Sequence, residues 1–199
     1  MTQKSRRLPK QARSRKRYDH MLNTAADLFA RQGVSQVTTN HIAAEAGVSI
    51  GSLYQFFPNK EAVIEALIER YVDEMGKIFP EAIDTQVPIQ EVIRGVITKV
   101  VEFREEKDGF ESILVGLEGT RNAKAAEGMH YLIVSKISWV LGVYYPQLEV
   151  ERRNLCAAVS FSIVGGMLPS RMPDAIMIEE TVLAVNAYQR AFLNRELDR

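Results

Sequence analysis

At 199 residues the chain can form one large domain or two small ones, with a core that needs neither disulfides nor a structural metal. Hydrophobic residues make up 46% and charged residues 25%, ordinary soluble usage that excludes disorder as the default. Formal net charge is zero but uneven: residues 1–17 hold eight basic and no acidic side chains, residues 1–60 ten basic against three acidic, and residues 61–199 fifteen against twenty-two, so a polyanion partner is expected at one end only.

Helical periodicity dominates the chain. Tyr18, Met21, Leu22, Ala25, Leu28 and Phe29 recur at three and four residues, and Gly33 follows as a stop. Thr39 opens a short helix over Asn40 to Ala46, where a hydroxyl can accept a backbone N–H bond. Gly47-Val48 breaks it, and Ser49 caps a second short helix, Ile50 to Phe57. Pro58-Asn59 breaks again, and Asn59 caps a longer helix carrying Val63, Ile64, Leu67, Ile68 and Tyr71. Pro80 to Pro88 reads as a linker. Ile89, Val92, Ile93, Val96, Ile97 and Val100 then form an apolar stripe, interrupted by Lys107-Asp108-Gly109. Further helices are expected over Phe110 to Thr120, Ala125 to Tyr145, Leu148 to Leu168 and Asp174 to Leu197, nine in all. No strand alternation and no repeat is evident, so the fold class is all-α. The expected division is 1–60 and 61–199.

Thr39 to Phe57 is the informative segment. Two short helices joined by Ala46-Gly47-Val48-Ser49 have the proportions of a helix-turn-helix. Gly47 suits a left-handed turn position, and Val48 would wedge between the helices. The second helix is too short and too polar on one side for a core helix. Ile50, Gly51, Ser52 and Gln55 are left pointing outward. Small side chains at 51 and 52 would let it sit deep in a major groove, where Gln55 can read an adenine edge or a phosphate. Tyr54 and Lys60 are placed to reach phosphates on either side. On periodicity alone an ordinary αα turn fits equally well. The basic arm tips the balance. Arg13, Arg15, Lys16 and Arg17 lie at or before a helix start, where cations oppose the helix dipole. That placement favours phosphate contact over stability, although a merely solvated tail remains the alternative.

The string Leu28-Phe29 … Gly33, Thr38-Thr39 … Ile42-Ala43 … Ala46-Gly47-Val48-Ser49-Ile50-Gly51-Ser52-Leu53-Tyr54-Gln55-Phe56-Phe57-Pro58-Asn59-Lys60-Glu61 closely resembles the TetR (tetracycline-repressor-like) family of bacterial transcriptional regulators. The motif covers about 50 residues; the order of elements after it is similar to the family's six-helix regulatory domain. The resemblance implies a three-helix DNA-binding domain, an effector pocket in the C-terminal helices, and a dimer built by the last two helices. It implies phosphate or base contacts from Thr39, Ser49, Ile50, Gly51, Ser52, Tyr54, Gln55 and Lys60. Asn59-Lys60 stands where many relatives have Ser-Lys.

The dimer also has a physical argument. The Leu155–Leu168 helix is apolar almost all round, so one contact layer cannot cover it. Val159, Ile163, Gly166 and Met167 are its expected interface residues, with Val182, Val185 and Tyr188 facing them from the last helix. Gly165 and Gly166 would allow close approach. A two-fold pair with two recognition helices implies a roughly palindromic operator of double-stranded DNA. For a small hydrophobic or amphipathic effector, Phe103, Phe110, Leu114, Leu117, Tyr131, Trp139 and Phe161 are the candidate lining, with Arg104 and Arg121 as candidate anchors. Aromatic residues at helical spacing are more often plain core, and such an Arg more often meets a surface ion pair.

Enzyme readings find little support. His20, His41 and His130 are isolated; the first two read as solvated helix residues, and His130 could face a pocket. No paired carboxylates form a motif, and Gly47 to Gly51 lacks the Gly-Lys-Ser/Thr of a phosphate loop. Cys156, the lone cysteine, excludes an intrachain disulfide and a Cys-cluster zinc site, and reads as a small core residue. The charged N-terminus is no signal peptide. The longest uncharged apolar stretch, Leu155 to Leu168, falls short of the roughly 20 residues of a membrane span. The sequence thus points to a cytoplasmic, ligand-responsive, homodimeric repressor without catalytic site, cofactor, metal or membrane partner. The alternative is a helical ligand-binding or interaction protein whose basic arm binds RNA or an acidic partner. It is disfavoured because the recognition segment lacks exposed aromatic stacking platforms.

Overall fold

A computed structural model describes residues 12–107, 109–110, 112–113, 123–167 and 175–197. Those residues form eight α-helices and no strand. They are α1 (Ala12–Gln32), α2 (Thr39–Glu45), α3 (Ile50–Phe56), α4 (Lys60–Gly76), α5 (Ile89–Glu106), α6 (Ala123–Tyr144), α7 (Val150–Met167) and α8 (Ala175–Leu197). The helix expected over 110–120 lies largely outside the described residues. None of the described helices is long and apolar enough to cross a membrane. Contacts divide the chain into two units. One holds the described residues of Met1–Tyr71 and Lys107–Glu127, the other those of Val72–Glu106 and Gly128–Arg199. The expected boundary at residue 60 is the start of α4, and the contact division falls later, after Tyr71.

In the first unit the buried stripe of α1 is Tyr18, Met21, Leu22, Ala25, Leu28 and Phe29. Val37, Ile42, Leu53, Phe57, Val63 and Leu67 are fully buried in the same unit. The Tyr18 ring lies 4.8 Å from Phe57 and 6.0 Å from Phe56, which anchors the C-terminal end of α3 to α1. The stop at Gly33 closes α1 through its N–H, 2.9 Å from the Phe29 carbonyl. Asn59 caps α4 as expected: its Oδ1 accepts from Ala62 N at 2.8 Å.

The second unit has two apolar clusters. Ile97 and Val101 of α5 pack with Val182 and Val185 of α8, flanked by Ile163 and Val164 of α7. Ile89, Leu141, Leu148, Cys156, Ala157, Phe192 and Leu193 form the other. Burial pushes the Cys156 thiol up to about 11, so it stays protonated and inert near neutral pH. Between α7 and α8 runs a short polar chain. Gln189 Nε2 donates to Ser160 Oγ at 3.0 Å, and Ser160 Oγ donates to the Cys156 carbonyl at 2.8 Å. At the far end of this pair Arg152 donates to Glu196, and the Arg152 and Arg195 guanidiniums each lie 5.4 Å from the Phe192 ring centre. The linker is tied down by the Tyr144 hydroxyl, which donates to the Val87 carbonyl at 2.6 Å.

Candidate nucleic-acid interface

Residues α2 through α3 fold locally because each helix end is satisfied within a few residues. The cap of α2 is Thr38, one residue before the expected Thr39: its hydroxyl accepts from His41 N at 3.2 Å. Thr39 is thereby the first helical residue and its side chain is released. At the other end Gly47 takes φ +62°, where a Cβ would be strained. Its N–H donates to the Ala44 carbonyl at 3.1 Å, and Val48 N donates to Ala43 at 3.0 Å. Ser49 then caps α3 as expected, accepting from Ser52 N at 3.2 Å; its Oγ also lies 2.9 Å from Ser52 Oγ.

Leu53 and Phe56 are the buried side of α3, and the helix contains no charged residue. Its exposed side is Gly51, Tyr54 and Gln55, with Ser52 half-buried beside them. Ile50 is half-buried rather than fully outward, since it shares the start of α3 with the turn. Tyr54, 48% exposed, holds its hydroxyl 3.2 Å from Thr39 Oγ1, so α2 and α3 present two adjacent hydroxyls at one point. Two such donors can share one phosphate oxygen pair. Arg13, Arg15, Lys16 and Arg17 are exposed on the first turns of α1, which carries no acidic residue in its first turn. Arg31 pairs instead with Glu45 at 2.7 Å on the surface, a contact worth little to stability.

Lys60 also has a partner within the protein. Its ammonium donates to the Val34 carbonyl at 3.0 Å and is half-buried. An ammonium has three protons, so two remain for another acceptor. His20 is an exposed helix residue, as expected, and in addition its Nε2 lies 3.2 Å from the Ala46 carbonyl, across 26 residues of sequence. Helical spacing within α1 carries no signal for such a contact.

Residues 21–67 match the model of the bacterial regulatory proteins of the tetR family. Residues 21–67 thus form a TetR-type N-terminal domain. That family is one of regulators and not of enzymes. The nucleoid occlusion factor SlmA of Haemophilus ducreyi is 30% identical over 117 residues, 58% of this chain and 57% of that protein. The HTH-type transcriptional repressor KstR2 of Mycolicibacterium smegmatis is 31% identical over 99 residues, 50% of this chain and 47% of that one. The chain thus spans about half the length of the curated relatives it matches. A tetR-family transcriptional regulator from Streptomyces coelicolor has the same fold, with a TM-score of 0.76 at 22% identity over 92% of this chain and 85% of that one.

The residues expected to line an effector pocket or a dimer interface are less tightly gathered. Phe103 and Phe110 are buried, and Phe110 meets Tyr71 edge-on at 5.3 Å within the first unit. Phe161 meets His130 at 4.8 Å, and Arg104 is half-buried. Tyr131, 76% exposed, and Trp139, 39% exposed, face outward rather than into a shared lining. Leu114, Leu117 and Arg121 lie outside the described residues. A small cavity of about 140 Å³ opens elsewhere, between Ile89, Tyr145, Gln189 and Leu193. Of the expected interface set, Val182 and Val185 are spent in the core of the protomer against Ile97 and Val101. Ile163 flanks that core, while Val159, Met167 and Tyr188 are half-buried and Gly166 is exposed. The exposed large apolar residues of α7 and α8 are Val150, Leu155, Ile176 and Leu183.

Proposed function

We propose that the protein is a transcriptional repressor that binds a palindromic operator as a homodimer and is released by a small hydrophobic or amphipathic effector. The observation that carries this reading is α3 itself. It is capped at Ser49, buried through Leu53 and Phe56, and presents Gly51, Tyr54 and Gln55 to solvent beside the Thr39 hydroxyl. A small, uncharged helix face flanked by hydroxyls and by the basic start of α1 suits a major groove between two phosphate backbones. The similarity to KstR2, a transcriptional repressor by name, supports the sign of regulation. On this reading Arg13 and Arg17 contact phosphates, as do Thr39, Tyr54 and Lys60, and Gln55 reads a base.

The dimer reading draws on two outward stripes. Leu155, Val159, Ser162 and Gly166 share one side of α7, and Ile176, Leu183 and Ala187 share one side of α8. Burying such stripes against a second copy removes apolar surface from water and brings two recognition helices into one assembly. The effector reading places an apolar ligand beside Phe103 and Phe161 in the second unit, where binding shifts the balance between operator-competent and incompetent geometries.

The test is fluorescence anisotropy with labelled palindromic duplexes from upstream of the gene, titrated at several salt concentrations. Specific binding at nanomolar protein with a steep negative salt slope is expected. Equal affinity for every duplex, palindromic or scrambled, would remove the operator reading.

A further inference from the structure

Apart from the surface pair between Arg31 and Glu45 of α2, the long helix α1 makes a polar contact with the turn of the helix-turn-helix through His20. Its Nε2 is 3.2 Å from the Ala46 carbonyl. A carbonyl oxygen only accepts, so Nε2 carries the proton. The carbonyls of α2 nearest the turn have local partners: Ile42 accepts from Ala46 N at 2.9 Å, Ala43 from Val48 N at 3.0 Å and Ala44 from Gly47 N at 3.1 Å. The Ala46 carbonyl takes its proton from a different helix. The next residues are Gly47, at φ +62°, and Ser49, the cap of α3.

We propose that His20 is a positioning residue for DNA recognition, which clamps the turn between α2 and α3 and so fixes where the exposed face of α3 sits. This rests on the operator-binding reading above. His20 acts through the backbone and not by touching DNA. Without the clamp the turn samples more conformations, and the cost of ordering it returns each time α3 enters a groove. Alanine is favourable inside a helix, so His20→Ala leaves α1 itself intact. Glutamine restores a donor of similar reach.

Operator affinity is measured for the wild type, His20→Ala and His20→Gln across a salt series. Loss of one hydrogen bond should weaken binding by about fivefold in His20→Ala at every salt concentration, with parallel salt plots. His20→Gln should recover most of that loss. A salt slope lowered by roughly one in both variants would mean that His20 contacts a phosphate, and would overturn the proposal. So would unchanged affinity in His20→Ala. A second arm needs no DNA. Amide exchange at residues 47–50 should quicken in His20→Ala and return in His20→Gln. Equal protection in all three proteins refutes the clamp. If the wild type binds no duplex, the operator reading falls while the exchange arm still decides the clamp.

Discussion

Gly109→Ala and Gly95→Ala are the same chemical change with opposite expected signs. Gly109 has φ +75°, a conformation that costs an L side chain about 1–2 kcal/mol. An added Cβ would stand 2.4 Å from the carbonyl oxygen of Ala26 and 3.2 Å from its carbonyl carbon. Those atoms belong to the middle of α1, so the neighbour cannot rotate away as a side-chain tip would. Forcing the backbones apart costs about 1–3 kcal/mol more. A total near 3 kcal/mol follows, all of it within the DNA-binding unit that holds both residues. Gly95 lies in the middle of α5, exposed, with nothing within 4 Å of a new Cβ. There alanine reduces the freedom of the unfolded chain and stabilises the helix by about 0.5–1 kcal/mol. For a chain of this size each kcal/mol moves the melting temperature by about 2–4 °C. Gly109→Ala should therefore melt roughly 6–12 °C lower, and Gly95→Ala about 1–4 °C higher. Circular dichroism on heating reads the totals. Hydrogen exchange assigns them, with α1 amides losing protection in the first variant and α5 amides gaining it in the second. A Gly109→Ala protein as stable as the wild type would show that the approach to Ala26 is not kept in solution, and the reasoning would fail.

Lys60→Ala should weaken binding to all duplexes alike and lower the salt slope by roughly one. Gln55→Ala should instead change the rank order of operator variants, and an unchanged order in competition titrations would end its base-reading role. Leu183→Glu places a charge where the protomer is 61% exposed, so it should yield folded monomers by light scattering; an intact dimer would move the interface elsewhere. Ile163→Glu should be far more damaging to folding, because Ile163 flanks the Ile97–Val185 cluster and a buried unpaired carboxylate costs several kcal/mol. Cys156 should resist thiol reagents at neutral pH and react at once in denaturant, since burial holds its thiol near 11; rapid modification of the native protein would contradict its place in the core.

The DNA-binding unit was legible in the sequence because its signals are local. Ser49 and Asn59 sit three residues from the N–H groups they accept, and Gly33 and Gly47 stop their helices through backbone conformations that neighbouring side chains do not alter. The periodicity of α1 names its buried residues for the same reason: a helix turns by a constant angle per residue, so spacing alone gives its apolar side. Spacing does not say what that side meets. Val182 and Val185 form a good stripe, yet the packing of α5 and α8 buries them within the protomer and leaves Leu183 outside. Tyr131 and Trp139 have the spacing of a core and stand in solvent. Exposed His20 and half-buried Lys60 each reach a carbonyl 26 residues away. Such contacts depend on how one helix lies against another. That relation is set by the summed packing of many side chains, and only the tertiary structure carries it.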